Sequence, residues 1–515
     1  MPDSFYLTTP LYYVNAKPHL GHAYTTVVAD CLARAHRQRG EDVFLLTGTD
    51  EHGEKIAQAA QAKGISPKEF ADQTSETFRS LWKDLGISYD FFIRTTDPGH
   101  VRTVQEALTV LHKKGALKTG TYTFWYCVPC ETSWPAGDLK PVPGLRPGTE
   151  ACPTCQRPVE QVTEEDFFLH LEDYRVWLKT HIQSHPEFIQ PQTRRNEVLA
   201  MLEKELPPLC VTRPKERVSW GIEVPFSPAH VTYVWFDALL NYITALDWPD
   251  GEKFKRYWQE AGAVHLVGKD ILRHHGLYWP IILHALGLPP PKTIFAHGWW
   301  LIQGEKMSKS KGNIIEPQAV VEAYGLDAFR YFLLRDVPLG DDGVFSEEAL
   351  VKRINSDLAN DLGNLVFRTL TMLEKHTEGK IPAGPAISRM DKHILSVQRS
   401  MEISLRQLMP HLALKYLWEL IARANQTVEE RAPWKLAKEG RRADLEAFLY
   451  DLADLTQAIA ILLWPFMPGT AEAIWHQLGF DDPISKIELP LTLDRHRPSS
   501  GQVIRKGLPL FPRIQ

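Results

Sequence analysis

The sequence lacks any stretch long and apolar enough to cross a bilayer. Its most hydrophobic run, Leu452 to Pro468, is broken by Asp454 and Gln457 and falls short of the roughly 20 residues that a spanning helix needs. Nor does it open on a basic segment followed by an apolar core, which argues against a secretory leader and predicts a cytoplasmic protein with no membrane association. Cysteine is scarce, at 6 of 515 residues, so in a reducing compartment a disulfide framework is excluded. There is no excess of basic charge either. With 58 Lys and Arg against 63 Asp and Glu, the net charge of -5 excludes blanket affinity for polyanions, and any nucleic-acid contact must rest on local basic surface. No internal repeat or low-complexity tract is present. What remains is the composition of an ordinary globular protein, 44% hydrophobic and 23% charged, in a chain long enough for two to four structural units.

The order of elements predicts an α/β fold. Phe5–Thr9 is strand-like, Tyr24 to Arg39 has helical spacing stopped by Gly40, and Val43–Thr47 supplies a second strand. Phe91–Ile93 and a helical run from Val101 to Lys114 continue the alternation, which is the rhythm of a parallel, Rossmann-like sheet over residues 1–117. That rhythm breaks at 118–229, an inserted module crowded with prolines between Pro135 and Pro158. Strand–helix order returns over 230–297, beginning with Val231–Trp235 read as a strand and continuing with Val264–Val267 and Thr293–Ala296. A mobile-loop region follows at 298–346. Leu358, Leu362, Leu365 and Leu373 then recur at helical intervals, predicting an all-α bundle over 347–489, and 490–515 reads as an extended tail that packs back.

Two short motifs carry the chemistry. His19-Leu20-Gly21-His22 lies between a strand and a helix, where unsatisfied backbone N–H groups and the helix dipole attract phosphate. Gly21 would let a nucleotide lie flat against the helix start, and two imidazoles can donate to phosphate oxygens. Gly304 to Gly312 holds Lys306, Lys309 and Lys311 in a polar loop, from which a lysine could close over pyrophosphate as charge builds in a transition state. Taken singly, the first motif is equally well a loop with two surface histidines, and the second is better read as a solvated basic loop. Their joint occurrence, in this order and on opposite halves of a split sheet, points to nucleotide chemistry.

In that order the two motifs resemble the signatures of class I aminoacyl-tRNA synthetases, which activate an amino acid as its adenylate and pass it to tRNA. Further segments resemble the methionyl-tRNA synthetase family through most of the chain: Thr8-Thr9-Pro10-Leu11-Tyr12-Tyr13, Gly48-Thr49-Asp50-Glu51-His52-Gly53 and Trp235-Phe236-Asp237-Ala238. The resemblance implies catalytic and ATP-binding roles for His19, Gly21, His22, Lys306 and Lys309, with ATP accompanied by Mg2+. It further implies an L-methionine pocket built from Leu11, Tyr13, Asp50, Trp235, Ala238, Tyr242, Ile271, His275 and Trp279. Aromatic and aliphatic walls suit a thioether, Tyr242 or His275 could donate weakly to its sulfur, and Asp50 could pair the ammonium. Rival class I specificities fit less well. The insertion is short for an editing domain, and no cysteine precedes His19 to hold a substrate-binding zinc. An adenylyltransferase would have no need of the helical domain, and an inactive paralogue would be expected to have lost His19, His22 or Lys309.

Cys127-Val128-Pro129-Cys130 and Cys152-Pro153-Thr154-Cys155 have the spacing of a four-thiolate structural zinc site, or else form a metal-free set of reduced thiols; Cys31 and Cys210 read as buried thiols. Asn360, Asn364 and Arg368 recur every four residues on one helix face, and Trp434 opens a basic stretch. By resemblance these residues read the anticodon of tRNA(Met), initiator and elongator alike, by stacking and base-edge hydrogen bonds. The family's C-terminal dimerising barrel has no counterpart here, so a monomer is expected.

Overall fold

The computed structural model describes residues 3–514 apart from 135, 140–148, 154, 303, 307–314, 386, 387, 389, 494 and 496. The chain divides into two compact units.

The first comprises Asp3–Pro18 with Phe44–His297. At its centre is a six-stranded sheet in the order Phe91–Arg94 (β3), Asp42–Asp50 (β2), Ser4–Tyr13 (β1), Ala263–Gly268, Thr293–His297 and Ile189–Gln190. These strands pair in parallel, with Tyr6 opposite Ala263, Val264 opposite Thr293 and Leu46 opposite Phe91. Strands covered on both faces should read as continuous apolar or hydroxyl runs, and Tyr6 to Pro10 of β1 are all buried. The chain leaves β1 to one side for β2 and β3 and returns on the other side through Ala263–Gly268. That makes β1 the point where strand order reverses, and ligands of open parallel sheets collect beyond the strand ends there.

The insertion forms its own antiparallel sheet, with Leu117–Cys127 paired to Glu160–Leu169 from Leu117 opposite Leu169 to Tyr126 opposite Glu160. Two expectations need correction in this unit. Val231–Trp235 is not a parallel strand: Ser227–Thr232 pairs antiparallel in a separate small sheet, and Val234–Leu239 is already helical. A β-rich pentapeptide is ambiguous at that length, and here packing of Phe236 and Leu239 into the core decides for helix. The insertion also donates the sheet's edge strand, Ile189–Gln190, which is too short to show a period.

The second unit comprises His19–Val43 with Gly298–Gln515. Its helix Leu20–Gln38 (α1) is tied into the bundle by Asp30, which pairs with Arg330 at 2.7 Å with both side chains fully buried. Arg330 also donates to the carbonyls of Phe466 and Pro465. The expected bundle is present in Asp391–Arg406, Pro410–Arg431 and Arg442–Leu463. Leu358, Leu362, Leu365 and Leu373 are all buried, along a helix that runs from Glu347 to Thr377 and is π-wound over Ile354–Gly363. The tail does pack back. Asn355 exchanges two hydrogen bonds of 2.9 Å with the backbone of Ile514, and Arg495 and Arg497 enter a buried ion cluster with Asp391 and Asp454.

Candidate active site

In the sheet unit, the residues expected to hold an amino acid sit just past the C-terminal ends of adjacent strands. Leu11 and Tyr13 end β1, Asp50 ends β2, and Ile271 and His275 follow Ala263–Gly268. Tyr242, His275 and Trp279 are buried around one another, with the Tyr242 ring 5.8 Å from that of His275 and 5.9 Å from that of Trp279. Trp235 lies flat against His274 at 3.7 Å. The Trp279 indole N–H donates to His265 Nε2 at 3.2 Å, and His265 Nδ1 meets Thr8 Oγ1 at 2.8 Å, so each ring of this wall is held by a partner.

Protonation states follow from burial. Burial pushes His275 down to about 4 and His265 well below the ordinary range, so both are neutral near pH 7. His275 Nδ1 lies 3.0 Å from the Ile271 carbonyl and so carries the proton, which leaves Nε2 to accept from the Tyr242 hydroxyl at 2.8 Å. The sulfur donors expected from sequence are therefore both committed elsewhere, and either could reach a thioether only by exchanging its present bond. Asp50 is 7% exposed, and its Oδ1 has no hydrogen-bond partner among the described residues. Burial, reinforced by the negative charges of Asp237, Glu131 and Glu51, raises its carboxyl well above the usual range. A buried acid in that state is a site for a cation.

Sequence reading missed three supporting groups here. Asp237 accepts from His52 Nδ1 at 2.7 Å and His100 Nε2 at 2.6 Å, and the two imidazoles outweigh its burial to hold it below the ordinary range. Glu51 is gripped by Arg94 through Nε at 2.6 Å and Nη2 at 2.8 Å. Glu131, beside the cysteines, reaches Tyr13 Oη at 2.5 Å. His52, Glu51 and Asp237 lie inside the segments that signal the family, but nothing in their spacing says that they meet.

The four clustered cysteines come together as expected. Their sulfurs lie within 4.8 Å of one another, with Cys127 to Cys155 at 3.5 Å and Cys130 to Cys152 at 3.9 Å. Four thiolates at about 2.3 Å from one tetrahedral zinc would stand about 3.8 Å apart, so the donor set fits. Cys31 and Cys210 are buried and remote from this set in sequence.

In the helical unit, His19 is the N-cap of α1, so Leu20, Gly21 and His22 already belong to the helix. The expectation of free N–H groups for phosphate is corrected. Gly21 N–H donates to His19 Nδ1 at 3.1 Å, His22 N–H donates to the His19 carbonyl at 2.9 Å, and His19 N–H donates to His22 Nδ1 at 3.1 Å. This reciprocal capping has a chemical consequence: with both Nδ1 atoms accepting, a neutral ring carries its proton on Nε2. Leu20 N–H donates to the Ile315 carbonyl at 3.1 Å, which joins the helix start to the residue that follows the segment 307–314. Lys306 pairs through its backbone with Leu301, while Lys309 lies outside the described residues.

Farther along the same unit, Arg368 lies 5.9 Å over the ring of Trp434, which is 47% exposed, and pairs with Glu429 at 2.8 Å. Asn364 is exposed. Asn360 is also exposed, and its side-chain oxygen is engaged by the Arg513 guanidinium.

The family profile described as tRNA synthetases class I (M) matches residues 5–370, more than half of the chain. The chain belongs to the class I methionyl-tRNA synthetases. The synthetase is 48% identical over 521 residues to the methionine–tRNA ligase of Caldanaerobacter subterraneus subsp. tengcongensis, with 100% of this chain and 79% of that protein covered. It is 42% identical over 529 residues to the methionine–tRNA ligase of Bacillus subtilis, with 100% and 78% covered. Its fold superposes on the crystal structure of Mycobacterium tuberculosis methionyl-tRNA synthetase bound by methionyl-adenylate with a TM-score of 0.92, at 38% identity, over 99% of this chain and all of that one. Family membership makes it a ligase of the aminoacyl-tRNA synthetase kind, with a Rossmann-like parallel sheet, a four-cysteine insertion and a helical C-terminal region. No helix among the described residues is long and apolar enough to cross a membrane.

Proposed function

We propose that this synthetase is a methionine–tRNA ligase that couples L-methionine to ATP, releasing pyrophosphate, and transfers the methionyl group from the adenylate to the terminal ribose of tRNA(Met). The reading is supported by the groups that follow the strand ends: the buried, neutral aromatic and imidazole rings of Tyr242, His275 and Trp279, and at the end of β2 a buried Asp50 oxygen that lacks a partner among the described residues. An amino acid with an apolar, uncharged side chain and an ammonium group satisfies both features. Leu11, Ala238 and Ile271 complete the wall in this assignment, with Tyr13 and Trp235 as its aromatic ends.

His19 and His22, each with Nε2 as its donor, hold ATP phosphate next to Gly21, while Lys306 and Lys309 neutralise the pyrophosphate as it departs, in company with Mg2+. No protein nucleophile is required, so rate comes from positioning and charge stabilisation. Zinc bound by Cys127, Cys130, Cys152 and Cys155 is structural, since four thiolates leave no open coordination position. Residues 1–117 and 230–297 form the catalytic fold and 118–229 the knuckle insertion; 298–346 carries the lysine loop, 347–489 reads the anticodon, and 490–515 is the tail. Asn360, Asn364, Arg368 and Trp434 contact anticodon bases of initiator and elongator tRNA alike, and the enzyme works as a cytoplasmic monomer.

The test is pyrophosphate exchange into ATP with each of the twenty amino acids. Methionine is expected to give by far the highest kcat/KM; preference for any other amino acid overturns the assignment.

A further inference from the structure

Glu131 is the residue immediately after the first cysteine pair, yet its side chain serves another part of the sheet unit. Its Oε1 accepts from Tyr13 Oη at 2.5 Å and from the Lys55 backbone N–H at 3.3 Å. Its carbonyl accepts from Tyr233 Oη at 2.6 Å, and the carbonyl of Cys130 accepts from the Trp235 indole at 3.5 Å. Two consecutive residues of the cysteine module thus hold the end of β1 and the Tyr233–Trp235 segment at once. The fit is close on every side. A Cβ placed at Gly53 would stand 2.6 Å from both carboxylate oxygens of Glu131 and 2.7 Å from Tyr13 Oη, and Gly53 has φ +114°. The Lys55 ammonium lies 5.6 Å from the centre of the Tyr13 ring. Glu131 itself is 5% exposed and sits at φ 49°, a left-handed conformation that a glutamate rarely adopts. A turn that served only to carry cysteines would have no need of a buried carboxylate, whose desolvation is unfavourable unless its hydrogen bonds are made.

We propose that Glu131 is a positioning residue for methionine binding. By holding the Tyr13 hydroxyl against the turn at Gly53, it fixes the distance between the Tyr13 ring and Asp50, and so the width of the amino-acid pocket at its ammonium end. This rests on the assignment of Tyr13 and Asp50 to that pocket. Glu131 acts through Tyr13 and touches no reacting atom.

The experiment compares Glu131→Gln, Glu131→Ala, Tyr13→Phe and the Tyr13→Phe/Glu131→Ala double variant, each checked first for bound zinc and for an unchanged melting temperature. Methionine Kd is read by tryptophan fluorescence, and KM for methionine and ATP by pyrophosphate exchange. Glutamine keeps an acceptor for Tyr13 and is expected to stay within about twofold of the parent. Alanine is expected to raise methionine Kd and KM about tenfold while ATP KM moves less than about twofold. In the Tyr13→Phe background the alanine change is expected to add less than about twofold, because the hydroxyl it held is already gone. Additive losses in the double variant, equal shifts in both KM values, or a glutamine variant as impaired as alanine would each overturn the proposal. Should Glu131→Ala lose zinc or unfold, Tyr13→Phe decides alone: it is expected to reproduce the tenfold rise in methionine KM, and no rise overturns the proposal. A parallel Asp50→Asn arm separates the two readings, since unaltered methionine binding there refutes the pocket assignment itself, whatever Glu131 does.

Discussion

Asp50 shows how little a residue's identity says about its state. In the sequence it is one carboxylate among 63 acidic residues, marked out by its place in Gly48–Gly53. In the fold it is buried, feels the charge of three other acids and lacks a partner at Oδ1 among the described residues, and its carboxyl is raised well above the ordinary range. The sign of the consequence is definite. The upward shift favours the protonated acid whereas an incoming ammonium favours the carboxylate, so methionine binding should release protons and tighten as pH rises. Calorimetry in buffers of different ionisation enthalpy should register this release, and Asp50→Asn should abolish it; release unchanged in the variant would place the titrating group elsewhere. The histidines were legible as candidates, but their protonation was not. His275 becomes a neutral acceptor at Nε2 because burial brings it to about 4 and the Ile271 carbonyl accepts a hydrogen bond from Nδ1–H.

Among elements, the cysteine module was the most legible, because two Cys-x-x-Cys pairs need only local turns to present four sulfurs to one point. Its sulfurs converge within 4.8 Å. The sheet it grows from is long and antiparallel, so its backbone pairing does not depend on metal, whereas the turns that carry the cysteines have little apolar burial of their own. Stripping zinc with a chelator should therefore open the segment around Cys127 to Cys155 to proteolysis and hydrogen exchange while leaving the strand Ala263–Gly268 protected. Exchange rising equally in both would show the metal to hold the whole unit. The first helix was less legible. Its spacing suggested a start near Tyr24, but His19 and His22 cap it from the front, which brings the motif into the helix and consumes the very N–H groups expected to meet phosphate. Imidazole is an uncommon cap, so capping rules based on Ser, Thr, Asp and Asn do not find it.

For the whole molecule, the tail is where distant sequence becomes structure. Arg495 reaches Asp391 at 2.5 Å and Asp454 at 2.6 Å, and Arg497 reaches the same two acids at 2.7 Å. Burial pushes Asp454 up to about 6, whereas the two guanidiniums hold Asp391 low against its own burial. Removing one cation from so buried a cluster leaves charge uncompensated, so Arg495→Ala should lower stability by about 3–5 kcal/mol. Chemical denaturation measures that loss, and limited proteolysis should then clip the region beyond Leu489; a loss below about 1 kcal/mol would mean that water already screens the cluster. By itself the sequence determined the class of fold and the grouping of the four cysteines, because each depends on periodicity or on spacing over a few residues. Tertiary structure alone decided which carboxyls are pushed up and which held low, which imidazole nitrogens accept, that Val231–Trp235 breaks into a helix, and that Glu131 stands against Tyr13. These outcomes depend on burial, on the geometry of caps and turns and, for Glu131 and Tyr13, on a contact across 118 positions, and no periodicity encodes them.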